Sequence, residues 1–216
     1  MGTLLTFEPP APHLRGALLA RCGVDIGEER ASRAIRAEIS YYRAHLHEGS
    51  DAAGLAALRQ ASAEAMRPEL GGLDAEGEVL TEALLDSLRF RAFPEVPGAL
   101  RELRALGLRL VVVSNWDVSL HERLAQTGLA ALVDGAIASA ELGAAKPDPA
   151  IFRHALELAG GVPAAAALHV GDSLDADVEG ARAAGLRPVF VARGGGPVPA
   201  GVASIASLAE LPALLA

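Results

Sequence analysis

The chain has 216 residues, 51% of them apolar, and 27 acidic against 19 basic side chains, for a formal net charge of −8. This length suits one core domain with a modest insertion; the acidic balance argues against a nucleic-acid surface, and no apolar run approaches the roughly eighteen residues of a membrane span. A single cysteine, Cys22, excludes an internal disulfide framework and, with an N-terminus that lacks a basic leader region, suits a reducing cytoplasm.

In chain order, Leu4-Leu5-Thr6-Phe7 is short and stops at Glu8-Pro9-Pro10. Residues 12–91 then read as helices with few strand signals. Arg33 to His45 is amphipathic, with Ile35, Ile39, Tyr42 and Leu46 at helical spacing. A second helix is expected over Ala52 to Met66, a Gly71-Gly72 break follows, and Glu78 to Phe90 gives another. Tyr41 to His47 forms a dense polar-aromatic cluster; Arg43 or His47 could meet a second anionic group of a substrate, against the plainer reading of a solvated helix face. From about residue 97, helices alternate with strands expected near 108–114, 134–138, 166–170 and 187–192, the pattern of a parallel sheet. Gly194-Gly195-Gly196 reads as a loop and Pro212 to Ala216 as a small closing helix.

Three strand ends carry chemistry. The apolar run Leu108 to Val113 ends in Ser114-Asn115-Trp116, just before a helix, where a hydroxyl and backbone N–H groups can bind an anion. Alternatively, Ser114 or Asp117 only caps the helix, and Trp116 either lines a pocket or packs against the helical segment 12–91. Lys146, in Ala145-Lys146-Pro147, is the one lysine against eighteen arginines. Its compact, rotatable charge differs from the planar fork of arginine, which points to a site where a guanidinium will not serve. Ala167 to Val170 reads as a buried strand broken at Gly171, with Asp172 at its carboxyl end and Asp175, Asp177 and Glu179 following. Ligands of open parallel α/β sheets sit at such ends, and paired carboxylates there suit Mg²⁺. Asp175 and Glu179 need do no more than complement the helix dipole, and His169 reads as a satisfied core residue.

Taken together, Ser114-Asn115, Lys146-Pro147 and Gly171-Asp172-Ser173 with Asp177 resemble the haloacid dehalogenase-like hydrolase superfamily over nearly the whole chain. The resemblance implies an α/β fold: a Rossmann-like parallel sheet core at 92–216, with an all-helical cap inserted at 12–91. It implies catalysis through an aspartyl phosphate, Ser114, Asn115 and Lys146 acting on the phosphoryl group, Gly2, Thr3 and Trp116 at the substrate, and Asp172 and Asp177 supporting Mg²⁺. The partner it implies is a small soluble phosphate monoester, handled by a monomer or homodimer that binds neither nucleic acid nor membrane.

One departure stands out. Met1-Gly2-Thr3-Leu4 resembles the tail of the family's first motif, so residues 1–11 read as its remnant and linker. The attacking aspartate falls two positions ahead of residue 1, on a central strand that is missing from the sequence. A false start at Met1 explains this; so does a true, non-catalytic remnant. The first is favoured, because removing a central strand exposes apolar side chains at roughly 1.5–3 kcal/mol each in a fold only about 5–15 kcal/mol stable. Two other readings stay open: a 2-haloacid dehalogenase, which uses an Asp and a Lys without the acidic metal motif, and an inactive binding protein of the same fold.

Overall fold

The structure is a computed structural model and describes residues 2–195, 198 and 200–215. Met1, Gly196 and Ala216, on which the expected start, the end of the glycine loop and the end of the last helix fall, lie outside the described residues. The chain divides into a helical unit, residues 7–90, and an α/β unit formed by the N-terminal segment up to Thr6 and the chain from Arg91 onward. Strands β1 (Leu5–Phe7) and β2 (Phe90–Ala92) pair as a two-stranded sheet.

The helical unit contains α1 (Pro10–Cys22), α2 (Glu28–His45), α3 (Ala52–Met66) and α4 (Gly77–Ser87). Pro10 opens α1, where its missing N–H costs nothing, and Gly23 closes it in the left-handed conformation. Glu28 and Glu29 in the first turn of α2, with Arg43 and His45 in its last, complement the helix dipole. The Asp51 carboxylate accepts from Gly54 N and caps α3. Leu14, Leu18, Ile35, Met66, Leu80 and Leu84 form the core of this unit. The last helix stops at Ser87, short of the expected Phe90, because Phe90 belongs to β2, where its ring lies 6.2 Å from that of Phe7. Glu38 is unusual: it lies on the buried stripe of α2, only 5% exposed, and has no hydrogen-bonding partner among the described residues. Burial pushes its carboxyl up to about 7.

The α/β unit holds two parallel sheets. One pairs β3 (Val111–Ser114) with β4 (Gly135–Ala138), and the other orders β5 (Leu168–Gly171), β6 (Arg187–Val191) and β7 (Ala203–Ile205). Side chains alternate between two helical layers. Val112, Ala136, Leu168, Val170, Val189 and Val191 pack with α5 (Val96–Ala105), α6 (Leu120–Gln126) and α10 (Leu211–Leu215). Val111, Val113 and Ile137 pack with α8 (Pro149–Leu158) and α9 (Gly180–Ala183). A short α7 (Ser139–Leu142) follows β4, and a π-helical turn, Leu174–Glu179, leads into α9. The sheet pattern follows the sequence reading, with β7 an additional strand.

Among the described residues, β3 pairs only with β4, and β5 among strands only with β6. Leu110 O accepts from Asp134 N on the β4 side (2.7 Å), and Ala167 O accepts from Arg187 N on the β6 side (3.3 Å). Backbone groups alternate along a strand, so Val111 and Val113 turn theirs away from β4, and Leu168 and Val170 away from β6. The Val111–Val113 and Leu168–Val170 side chains are half-buried, whereas Val189–Val191 of β6 are buried. Parallel strands between two helical layers are normally buried on both faces. Half-burial of β3 and β5 therefore marks both as strands with one open flank.

Candidate active site

Lys146 sits in a tightly determined pocket of the α/β unit. Its peptide is held at both ends by one side chain: Asn115 Nδ2 donates to Lys146 O, and Lys146 N donates to Asn115 Oδ1, each at 2.8 Å. Its ammonium donates to Val113 O at 2.9 Å and to Asp177 Oδ1 at 2.6 Å. The Lys146 and Asp177 side chains are only 11% and 7% exposed, so the pair is formed largely out of water. An ammonium has three donors; with two committed, one remains for an incoming oxygen. Ser114, at the end of β3 beside Val113, has no protein partner for its hydroxyl among the described residues.

Asp177 is anchored from several sides. Besides Lys146, His169 Nε2 lies 2.8 Å from Oδ1, and Ser173 N donates to Oδ2 at 2.9 Å. Burial alone would raise this carboxyl; the hydrogen bond from His169 and the charge of Lys146 outweigh it and hold Asp177 well below the usual carboxylate range. The carboxylate folds back beneath Gly171, where any Cβ would collide with it. Burial lowers His169, outweighing the contrary pull of Asp177, so the imidazole is neutral and donates through Nε2.

Asp172 directly follows β5, next to the N-terminal segment. Thr3 Oγ1 donates to Asp172 Oδ1 at 2.6 Å. Gly2 packs against the same carboxylate so closely that a Cβ would strike it, and its φ of +110° also demands glycine. Arg193 ties this segment down: Nε donates to Gly2 O and Nη2 to Thr3 O, both at 2.8 Å, while Nη1 pairs with Glu95 at 2.6 Å. Its guanidinium also lies 3.6 Å over the Phe93 ring. Replacing Arg193 with Met strands two carbonyls and Glu95, so Arg193→Met is expected to cost about 2 kcal/mol in urea denaturation. A loss below about 0.5 kcal/mol contradicts this role.

The expected residues thus divide by task. Ser114, Lys146, Asp172, Gly2 and Thr3 gather at the carboxyl ends of β3 and β5. Asn115, expected to act on the phosphoryl group, instead spends its amide on the Lys146 peptide and positions it. Trp116, expected at the substrate, donates Nε1 to Ser119 Oγ at 3.2 Å and packs against the core. Asp177, expected beside Asp172 at the metal, carries three donors and serves as the anchor of Lys146. The roles of His169 and Arg193 were not foreseen; a histidine two residues before Gly171 was the only available signal for the first. Among the described residues no three His, Cys, Asp or Glu side chains form a metal-binding group. Mg²⁺ keeps waters and phosphate oxygens as most of its ligands and needs one or two carboxylates, a requirement Asp172 fits.

Residues 2–185 match the family described as haloacid dehalogenase-like hydrolase. A phosphoserine phosphatase of Thermus thermophilus is 41% identical over 128 residues, 58% of this chain and 51% of that protein. The chain thus spans about half the length of that relative, and less of some others. Among solved structures, a HAD phosphatase from Thermococcus onnurineus and a 2-haloacid dehalogenase from Pseudomonas syringae pv. Tomato each match all of this chain and 94% of theirs, at 27% identity and a TM-score of 0.67. The family match covers most of the sequence and includes every residue that meets at Lys146 and Asp172: the chain belongs to the haloacid dehalogenase-like hydrolases.

Proposed function

We propose that this chain is the body of a Mg²⁺-dependent phosphatase acting on a small phosphate monoester in the cytoplasm. The observation that carries the reading is Lys146, fixed by Asn115, Val113 O and Asp177, with one of its three donors left over, at the end of β3 where the Ser114 hydroxyl has no protein partner among the described residues. These groups grip phosphoryl oxygens and oppose the charge that develops during transfer. Asp172 would hold the Mg²⁺, which supplies further positive charge to the phosphoryl oxygens. The attacking carboxylate belongs on a strand between β3 and β5, ending next to Gly2 and forming an aspartyl phosphate. The helical unit corresponds to the helical cap of this family.

The dehalogenase reading draws on Lys146 and on the Pseudomonas syringae relative. Asp172 favours the phosphatase, since displacement of halide needs no metal carboxylate. The test uses a completed form in which about five apolar residues and an aspartate two positions ahead of residue 1 precede Gly2-Thr3. It should hydrolyse p-nitrophenyl phosphate, lose that activity to a chelator and release no chloride from 2-chloropropionate. Chelator-resistant chloride release reverses the assignment, and inactivity toward both substrates supports a non-catalytic binding protein.

A further inference from the structure

We infer that His169 is a positioning residue for phosphoryl binding, holding Asp177 in the one orientation that presents the Lys146 ammonium to an incoming oxygen. The inference rests on the reading of Lys146 as the phosphoryl-binding group. Asp177 Oδ1 lies 2.6 Å from Lys146 Nζ and 2.8 Å from His169 Nε2, so one oxygen serves both donors. The imidazole is itself fixed: its ring meets Phe152 edge-on with centroids 5.0 Å apart. Phe152 in turn packs against Gly180, where a Cβ would crowd both that ring and the backbone of Pro147. The chain of contact therefore runs from Pro147, next to the lysine, through Gly180, Phe152 and His169 to Asp177 and back to Lys146. Removing the His169 donor concentrates the charge of Oδ1 on Lys146 alone and lets the carboxylate turn. The ammonium is then drawn toward Asp177 and away from its third, open direction.

Lys146 is the only lysine, so ¹⁵N-lysine labelling gives one side-chain ammonium signal. In the 216-residue chain that signal should be protected from exchange, weaken and shift in His169→Phe, and return in His169→Gln, which keeps an N–H donor. Orthophosphate, titrated by ³¹P NMR, should bind about tenfold more weakly to His169→Phe, near normally to His169→Gln, and not measurably to Lys146→Met. If His169→Phe does not fold, His169→Met replaces it. An unchanged lysine signal and phosphate affinity in the donor-less variant overturn the role of His169 while leaving that of Lys146 intact. Normal phosphate binding by Lys146→Met instead overturns the reading on which the inference rests. Failure of His169→Gln to rescue also counts against the inference, because loss of packing would then explain the effect.

Discussion

Lys146→Arg should lower turnover of p-nitrophenyl phosphate by the completed form about a hundredfold or more, a conservative exchange of charge with a drastic result. The ammonium lies between Val113 O and Asp177 Oδ1 at 2.9 and 2.6 Å, in a pocket that leaves its side chain 11% exposed. A guanidinium is larger, planar and forked. It cannot meet a strand carbonyl and a buried carboxylate from the same point while still aiming a donor at the phosphoryl group. Misdirecting one donor toward a developing negative charge costs about 3 kcal/mol in the transition state, which sets the hundredfold scale. The variant should retain its far-ultraviolet circular dichroism, and the loss should fall on kcat rather than on KM. Unchanged turnover removes Lys146 from the site.

Glu38 predicts an opposite kind of effect, a gain of stability in the helical unit. Its folded carboxyl is pushed up to about 7 from an ordinary value of 4.5 by burial. Between these two values the folded chain keeps a proton that the unfolded chain releases. Stability therefore falls as pH rises from about 4.5 through about 7, then levels off, with a total loss of about 3 kcal/mol. Glu38→Gln keeps the shape and removes the ionisation. Urea denaturation should show the variant more stable than the parent at pH 8, with the difference shrinking toward zero near pH 4.5. A parent and variant with the same pH dependence would show that Glu38 is not buried as a neutral acid.

The sequence was most informative at strand ends. Ser114 and Asp172 each follow a short apolar run at a break in its pattern, and a parallel sheet brings such ends together whatever the details of packing; Lys146 was legible as the one lysine, but it lies in the loop between α7 and α8 and not at a strand end. It was least informative about direction. Asn115 and Asp177 were legible as polar residues near the site, yet nothing in their spacing shows that one clamps the Lys146 peptide and the other turns back under Gly171. The first depends on where the Lys146 backbone, 31 residues from Asn115, is placed, and the second on the tight turn that follows β5. Arg193 was silent for the same reason: its partners, Gly2 O and Thr3 O, are 191 and 190 residues distant. Strands β2 and β7 have three residues each, too few for alternation to register, and α4 was read past its end because Phe90 continues its apolar pattern. The burial of Glu38 contradicts its polarity outright, and only the packing of α2 reveals it.

The open flanks of β3 and β5 connect fold to function. An apolar strand entering between them would satisfy the outward backbone groups of Val111, Leu168 and Val170 and bury the half-exposed side chains of β3 and β5. It would also deliver its last residues beside Gly2, Lys146 and Asp172. Stability and catalysis are thus expected to rise together in the completed form.

The most direct measurement is a crystal structure of the completed form soaked with tungstate, a phosphate mimic that is visible without ambiguity. One tungstate should lie at the carboxyl ends of β3 and β5, with oxygens on Lys146 Nζ and Ser114 Oγ, and with Asp172 near enough to share a divalent ion with it. Tungstate bound elsewhere on the α/β unit, with none of its oxygens on Lys146 Nζ, would contradict the account.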